Sequence, residues 1–342
     1  MSSTTCPVCA SPSFDPLFLA PFPDYGDDGR RAYELGSTPP VATWRIVRCK
    51  GCTAAYPNPY PSAESISDYY ASQTEPNDFE IAHYVEVSEH EREHWAGFAR
   101  RVVSLKPGTG KLLEIGCAAG WLLVGARRAG WETYGVEASP KFADYARDTL
   151  GLTVHTGTLD DCRAGEDNVI TRAATFDIIV LTDVLEHLHD PVRDLQTMRS
   201  LLAPDGQLVV ATLDFGSPSA RRYGLAWRQI VVSHIVYWTR PSMRRALAEA
   251  GFVVRDESTF WSWHPDARLE RRRRARNIGK FVTRQALVWT YVPLARRSAT
   301  VRELPRRLTR GRLDHERVSR AIGDQPTLGD VMLVVAQPSP AG

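Results

Sequence analysis

Four of the six cysteines form two C-x-x-C pairs. Cys6 and Cys9 make the first pair, Cys49 and Cys52 make the second, and 39 residues separate the pairs. Two turns that each supply two thiolates at such a spacing are typical of a zinc ribbon, whose closed tetrahedral site has a structural role. Chance cysteines and a redox pair are the alternatives. We therefore predict one structural Zn²⁺ ion bound by these four thiolates.

A turn of small residues, LLEIGCAAGW, ends at Trp121. Gly116, Ala118 and Gly120 let the backbone approach a ligand closely, and the start of the next helix offers N–H groups to an anion. A dinucleotide fingerprint needs a third glycine where Trp121 stands, and no P-loop sequence occurs, so a pyrophosphate cofactor is disfavoured. Glu137 ends the following strand, where an acid is placed to bind both hydroxyls of a ribose.

Two histidines follow predicted strands and are candidate catalytic groups. His187 lies in the sequence DVLEH, and His234 lies in WRQIVVSHIVYW. Ligands of open α/β sheets bind at the carboxyl ends of the strands, and a histidine there can accept a proton from a hydroxyl at neutral pH. The alternative for each is a structural histidine bonded to the backbone. The adjacent Glu186 and His187 also leave a divalent-cation site open.

Predicted strands and helices alternate along the chain and would position these residues. The predicted strands are 111–115, 133–136, 152–155, 176–181, 207–212, 252–259 and 331–336. The predicted helices are 78–105, 120–129, 140–150, 191–202 and 243–250, with Asp190 placed to cap the fourth. This alternation predicts an α/β fold with a doubly wound parallel sheet.

Four motifs in order resemble those of class I S-adenosylmethionine-dependent methyltransferases, with the character of the ubiquinone-type O-methyltransferases and their relatives. They are EIGCAAG from Glu114, GVE ending at Glu137, FDIIVLTDVLEH ending at His187, and LAPDGQLVV from Leu202. The resemblance implies a seven-stranded Rossmann-like methyltransferase sheet with an antiparallel last strand. It also implies S-adenosylmethionine as the cofactor.

The same resemblance assigns residues to parts of the cofactor. Glu137 binds the ribose hydroxyls, Leu159 and Asp160 lie beside the adenine, and Asp183 lies next to the sulfonium. The glycine turn surrounds the methionyl part through Glu114, Gly116, Ala118 and Gly120. The resemblance therefore places the whole cofactor at one edge of the sheet.

The composition is that of a globular protein, with 43% hydrophobic and 24% charged residues. The net charge is +2, but residues 265–325 hold 17 Arg and Lys against 6 Asp and Glu, which leaves −9 for the rest. This segment is expected to meet an anionic membrane surface, a lipid-linked or acidic substrate, or only solvent. Nucleic acid is less favoured because no reader module accompanies the arginines. A cytoplasmic location is expected, with peripheral membrane association as an addition.

The predicted organisation has three parts. They are an N-terminal zinc-binding module (1–75), a methyltransferase domain (76–260 and 328–342), and a basic helical insertion (261–327) that forms a lid. The predicted function is methyl transfer to a small-molecule acceptor, most simply a hydroxyl of a natural product, glycan or lipid-linked substrate. The alternatives are an RNA methyltransferase, a sugar C-methyltransferase and a non-catalytic S-adenosylmethionine-binding protein. The oligomeric state stays open.

Overall fold

A computed structural model describes most of the chain outside the basic insertion. The described residues are 5–23, 41–63, 66, 85, 87, 89–163, 167–173, 175–224, 227, 229–230, 233–259 and 331–339. The predicted insertion at 261–327 lies outside them, and with it the prediction of a basic lid.

The strands and helices largely follow the predicted alternation. The strands are β1 (Phe14–Pro23), β2 (Val41–Cys49), β3 (Ala55–Asn58), β4 (Lys111–Ile115), β5 (Glu132–Glu137), β6 (Thr153–Thr156), β7 (Phe176–Thr182), β8 (Leu202–Leu213), β9 (Phe252–Thr259) and β10 (Val331–Pro338). The helices are α1 (Glu89–Val103), α2 (Trp121–Arg128), α3 (Pro140–Asp144), α4 (Leu159–Arg163), α5 (Val169–Arg172), α6 (Pro191–Leu201), α7 (Pro218–Tyr223) and α8 (Arg240–Glu249).

The main sheet has seven strands in the order β6-β5-β4-β7-β8-β10-β9. The first five of these strands pair in parallel, whereas β10 is antiparallel to both β8 and β9. The predicted doubly wound fold with an antiparallel last strand is therefore confirmed. Strand order reverses between β4 and β7, and such a reversal opens a ligand crevice at the carboxyl ends of these strands.

The central strands are apolar because they are covered on both faces. In β7 the residues from Ile178 to Leu181 are all fully buried, which is the pattern of a parallel strand between two helical layers. On one face α1 packs closely on α2, since a methyl group added at Gly125 would lie 2.7 Å from the Cβ atom of Ala99. This close contact fixes the helix that follows the glycine turn.

A second, antiparallel sheet of β1, β2 and β3 carries the N-terminal cysteines. It is joined to the main domain by two backbone hydrogen bonds between Ala55 and Tyr237, of 3.1 and 2.7 Å. A hydrogen bond of 2.7 Å also links the hydroxyls of Thr53 and Thr239. Buried residues of this module, such as Val47, belong to the same hydrophobic cluster as residues of the main domain, such as Trp238.

Three predicted elements differ most in their limits. Helix α1 begins at Glu89 within the predicted helix 78–105, and the predicted helix 140–150 continues from α3 as a π-helical turn at Tyr145–Thr149. Strand β8 begins at Leu202 because this residue pairs with the start of β7, and an irregularity of register absorbs the PDG sequence that follows. Among the described residues, no helix has the length and apolarity needed to cross a membrane.

Candidate functional site

The glycine turn after β4 has left-handed backbone angles at three alternate positions. The φ angles are 67° at Gly116, 45° at Ala118 and 88° at Gly120. A Cβ atom at Gly116 would lie 2.5 Å from Val184, and one at Gly120 would lie 2.4 Å from Leu152. Only glycine fits these two places, because both the backbone angle and the space exclude a side chain. The turn is therefore packed tightly between Leu152, just before β6, and Val184, just after β7.

Glu137 ends β5 and is bound to this turn. One carboxylate oxygen accepts a hydrogen bond of 2.8 Å from the N–H of Ala118, and the other accepts one of 2.8 Å from the N–H of Ser139. Burial raises the pKa of this carboxyl, and the two N–H donors oppose that rise. The carboxylate is thus fixed at the strand end, where the sequence places the ribose.

Glu114 is buried in β4 behind the turn, with 5% of its surface exposed. Its Oε2 atom has no hydrogen-bond partner among the described residues. Burial, and then the charge of Glu137, raise the pKa of Glu114 well above its ordinary value. A buried carboxyl oxygen without a partner is costly, and an ammonium group such as that of a methionyl moiety would satisfy it. These residues therefore fit the cofactor that the resemblance implies.

The predicted adenine side lies at the start of α4. The Leu159 side chain is buried in the core, so the atoms it can offer to a ligand are those of its backbone. The exposed Asp160 carboxylate forms an ion pair with Arg163, which also binds Asp194 at 2.7 Å. The neighbouring Asp161 holds this turn, because its carboxylate accepts a hydrogen bond of 2.8 Å from the N–H of Thr158. The roles of Leu159 and Asp160 stay predictions.

Asp183 lies where β7 ends, beside the glycine turn. Its φ angle of 53° is left-handed, and its N–H donates a hydrogen bond of 2.9 Å to the carbonyl of Ala211. A non-glycine residue in this conformation costs about 1–2 kcal/mol and is most often retained at functional sites. The side chain of the next residue, Val184, packs directly against the backbone of Gly116. Asp183 therefore lies beside the glycine turn, and its role next to the sulfonium stays a prediction.

The two candidate histidines are neighbours, although 47 positions separate them in the sequence. The ring centroids of His187 and His234 are 4.8 Å apart, with an edge-to-face angle of 70°. The Nδ1 atom of His187 lies 2.8 Å from the carbonyl oxygen of Ser233, and that of His234 lies 2.8 Å from the carbonyl oxygen of Gln229. Each Nδ1 therefore carries the proton, and each Nε2 carries a lone pair.

Glu186 completes this group, and sequence reasoning gave it only as a neighbour of His187. It is 1% exposed, and its carboxylate accepts a hydrogen bond of 2.8 Å from the hydroxyl of Thr212. Burial raises the pKa of Glu186 to about 7 and lowers that of His187. Burial, and then the proximity of His187, lower the pKa of His234 to about 3. Ligand atoms of the two histidines and Glu186 lie within 4.8 Å of one another.

The four predicted zinc ligands come together in the N-terminal module. The Sγ atoms of Cys6 and Cys52 are 3.6 Å apart, and those of Cys9 and Cys49 are 3.5 Å apart. All four sulfur atoms lie within 4.8 Å of one another. A tetrahedral ion with Zn–S bonds of about 2.3 Å requires sulfur atoms about 3.8 Å apart, so the arrangement fits such an ion.

The two cysteine turns have the same backbone conformation and hydrogen-bond pattern. In each turn the residue after the second cysteine has a left-handed φ angle, 55° at Ala10 and 69° at Thr53. The N–H of each of these residues donates to the carbonyl of the first cysteine, at 2.9 and 3.1 Å. Backbone N–H groups also point at sulfur, from Val8 to Cys6 at 3.4 Å and from Gly51 to Cys49 at 3.3 Å. These donors stabilise thiolate charge, as a metal knuckle requires.

A surface recess of about 530 Å³ lies at the opposite edge of the sheet. Its lining includes Gly110, Glu132 and Asp177, at the amino-terminal ends of β4, β5 and β7. None of the candidate site residues lines it. Because ligands of this sheet type bind at the carboxyl ends of strands, we do not assign the recess to the candidate site.

The chain is similar in sequence to several methyltransferases. The ubiquinone biosynthesis O-methyltransferase of Haemophilus ducreyi is 30% identical over 109 residues, which are 30% of this chain and 45% of that protein. The enzyme of the same name from Xanthomonas axonopodis pv. citri is 27% identical over 180 residues, which are 49% of this chain and 74% of that protein. The chain thus spans less than half of the first relative and about three quarters of the second.

Among solved structures, a SAM-dependent methyltransferase from Archaeoglobus fulgidus is 15% identical, with a TM-score of 0.45 over 77% of this chain and 100% of that one. The CcbJ methyltransferase of Streptomyces caelestis is 13% identical, with a TM-score of 0.43 over 76% of this chain and 96% of that one.

A family model described as a methyltransferase domain matches residues 87–257, which is half of the chain. The matched part runs from just before α1 into β9 and includes the glycine turn, Glu137 and both histidines. The strand order agrees with the class I arrangement that the motifs predict. The chain belongs to the methyltransferase-domain family, in its class I, S-adenosylmethionine-dependent form.

Proposed function

We propose that this protein transfers the methyl group of S-adenosylmethionine to a hydroxyl of a small-molecule acceptor. The observation that carries the proposal is a juxtaposition at one sheet edge. The turn bound by Glu137 lies after β4, and the pair His187–His234 lies after the adjacent β7 and β8. The relatives named as ubiquinone biosynthesis O-methyltransferases support oxygen as the methylated atom.

The cofactor would be held by the residues around the glycine turn. Glu137 would accept two charge-assisted hydrogen bonds from the ribose hydroxyls, and Glu114 would pair with the methionyl ammonium. Gly116, Ala118 and Gly120 would form the wall against which the methionyl part lies. When bound, S-adenosylmethionine supplies an electrophilic methyl group on a sulfonium.

The protein's part in the reaction is alignment and proton removal. Methyl transfer is an in-line displacement, so it depends on holding the acceptor oxygen, the methyl group and the sulfur in one line. Asp183 lies at the strand end between the glycine turn and the histidines, next to the proposed sulfonium position. His187 and His234 are the candidate catalytic residues, because an Nε2 lone pair can receive the hydroxyl proton.

The acceptor's identity is proposed only by class. A natural product, a glycan and a lipid-linked molecule all offer a hydroxyl, and the basic segment 265–325 favours an acceptor or surface that carries negative charge. The chain leaves the sheet at the end of β9 and returns at the start of β10, and the segment between these strands, to which the sequence assigns a lid, lies outside the described residues. In the same scheme the Cys₄ site binds a structural Zn²⁺, and the module 1–75 is a zinc-binding unit that packs against the catalytic domain.

The decisive experiment uses purified protein and S-adenosylmethionine with a labelled methyl group. We expect label in small molecules from cell extract and none in purified tRNA or rRNA, with loss of transfer in a Glu137→Ala variant. Label in RNA alone would replace this function with RNA methylation. Calorimetry that shows no S-adenosylmethionine binding by the folded wild-type protein would remove the function altogether.

A further inference from the structure

We propose that the segment from Cys52 to Tyr60, which begins at the Cys₄ site, is a positioning element of the acceptor side that holds the His187–His234 pair in place. The segment comprises the end of the second cysteine turn, the strand β3 and the two residues after it. The role of the two histidines rests on the proposed function, whereas their positioning is a property of the fold that can be measured by itself.

The first half of the segment binds the part of the chain that carries His234. Ala55 and Tyr237 exchange two backbone hydrogen bonds, of 3.1 and 2.7 Å, and neither residue has any exposed surface. The ring centroid of Tyr237 is 6.3 Å from that of His234. The hydroxyls of Thr53 and Thr239 lie 2.7 Å apart, and the side chain of Thr239 caps the start of α8. This half of the segment is therefore fixed to the residues that follow His234.

The second half of the segment binds the turn that carries His187. The hydroxyl of Tyr60 donates a hydrogen bond of 3.1 Å to the carbonyl oxygen of His189, and the centroids of these two rings are 5.4 Å apart. The Nε2 atom of His189 lies 3.1 Å from the carbonyl oxygen of Pro61, to which its N–H donates. Because His189 comes two residues after His187, these contacts fix the turn close to the candidate catalytic ring.

The two parts of the chain that the segment binds are also joined to each other. The carbonyl oxygen of Glu186 accepts hydrogen bonds of 3.0 and 3.1 Å from the N–H groups of Ile235 and Val236. The Nδ1 atom of His187 bonds to the carbonyl oxygen of Ser233 at 2.8 Å. The segment, the turn after β7 and the chain after β8 therefore form a closed set of contacts around the two imidazole rings. Such a set limits the movement of each ring, and a general base must be held within hydrogen-bond reach of its proton.

The Cys₄ site fixes the start of the segment. The carbonyl of Cys49 accepts a hydrogen bond of 3.1 Å from the N–H of Thr53, and the N–H of Cys49 donates one of 2.8 Å to the carbonyl of Ala54. These bonds join the second cysteine turn to the residues that reach the main domain. A Zn²⁺ ion bound to both cysteine pairs would stabilise this position of the segment. The Glu137 carboxylate, by contrast, is held by N–H groups of its own neighbourhood, so the segment should act on the acceptor side and leave the cofactor side unchanged.

The test follows the imidazole nitrogens of isotope-labelled histidine by NMR, without cofactor or acceptor, so that it does not depend on methyl transfer. Tyr60→Phe keeps the ring and removes only the hydroxyl that holds the turn after β7. Thr53→Val keeps the shape of the side chain and removes the hydroxyl that holds the start of α8. We expect the resonances of His187 to shift in the first variant and those of His234 in the second, whereas His155 on β6 keeps its resonances in both. Calorimetry should find the Kd of S-adenosylmethionine within about twofold of wild type.

Two matched variants serve as controls. Thr53→Ser keeps the hydroxyl and should give the wild-type spectrum, and so should Tyr134→Phe, which removes a tyrosine hydroxyl that bonds to Glu132 on β5. A purely structural role of the segment would lower the free energy of unfolding without moving the resonances of the folded protein.

Unchanged resonances of His187 and His234 in both test variants overturn the proposal, and so does a spectrum that shifts equally in Thr53→Ser. Removal of Zn²⁺ by a chelator, from protein that holds one equivalent, should shift both histidines, and an unmoved pair would overturn the link to the Cys₄ site. The expected shifts in a protein that transfers no methyl group would support the positioning and remove only the proposed function.

Discussion

The cofactor side and the acceptor side of the sheet edge are built in different ways. On the cofactor side, the hydrogen bonds to the Glu137 carboxylate come from residues that are near in sequence, Ala118 at 19 positions and Ser139 at two. On the acceptor side, His187 meets Ser233 across 46 positions, and Tyr237 meets Ala55 of the N-terminal module across 182 positions. The first side is a local motif, whereas the second is an assembly of distant segments.

This difference explains how the two halves of a methyltransferase site can diverge. A strand, a tight turn and a helix specify the cofactor side, so its sequence is recognisable wherever the fold occurs. The acceptor side depends on which segments are brought against the end of β8. Here the N-terminal module is one of those segments. Its residue Ala55 forms a backbone bridge with Tyr237, and the ring centroid of Tyr237 is 6.3 Å from that of His234.

The largest expected effect comes from removing the proposed Zn²⁺. In a Cys49→Ser/Cys52→Ser variant we expect the loss of one zinc equivalent and a fall of more than about 4 kcal/mol in the free energy of unfolding. Hydrogen exchange at the N–H of Tyr237 should become faster, because its partner Ala55 belongs to the zinc module. Metal analysis, denaturant unfolding and hydrogen exchange measure these three changes.

A buried cysteine outside the cluster gives the matched control, Cys162→Ala, which should keep the zinc equivalent. Affinity for S-adenosylmethionine should stay within a few-fold of wild type in the double variant wherever it remains folded. Equal damage to cofactor binding and to the acceptor side would break the comparison, because it would show that the two sides are one cooperative unit.

Sequence reasoning predicted the local features and left out the non-local ones. The strands β4 and β9 have the predicted limits, and Asp190 caps α6 through the N–H of Arg193 as predicted. The four cysteines were found by spacing alone. Glu186 could not be recognised as part of a three-residue cluster, because its partnership with His234 depends on how the chain returns after β8. No periodicity or residue spacing in the sequence predicts this path of the chain.

The next effect concerns the ribose assignment. Glu137→Ala removes two charge-assisted hydrogen bonds, each worth about 1.5–3 kcal/mol, so even the lower figure predicts that the Kd of S-adenosylmethionine rises by roughly a hundredfold. The control Glu132→Ala changes an exposed acid at the other end of β5 and should leave the Kd unchanged. Calorimetry on both folded variants decides, and an unchanged Kd in Glu137→Ala would refute the ribose role.

A moderate effect is expected at Thr212, on the acceptor side. Thr212→Val keeps the shape of the side chain but leaves the buried carboxylate of Glu186 without its hydroxyl donor. The free energy of unfolding should fall by about 1–3 kcal/mol, while the affinity for S-adenosylmethionine stays unchanged. Denaturant unfolding and calorimetry measure these two quantities. Weaker cofactor binding with an unchanged free energy of unfolding would contradict the assignment of Thr212 to the acceptor side.

The smallest effect tests the backbone of the cofactor side itself. Ala118 has a φ angle of 45° and donates its N–H to Glu137, so the turn needs a left-handed residue here but has a side chain in place of the freer glycine. A left-handed alanine costs about 1–2 kcal/mol, and glycine loses about 0.4–1 kcal/mol more in conformational entropy when the chain folds. Ala118→Gly should therefore raise the free energy of unfolding by up to about 1 kcal/mol.

Ala10→Gly, at a φ angle of 55° in the first cysteine turn, should do the same for the zinc module. Denaturant unfolding measures both gains, and calorimetry should find the Kd of S-adenosylmethionine within about twofold of wild type. A tenfold loss of affinity in Ala118→Gly alone would mean that the methyl group of Ala118 contacts the cofactor, and the glycine turn would then select its ligand through a side chain as well as through its backbone.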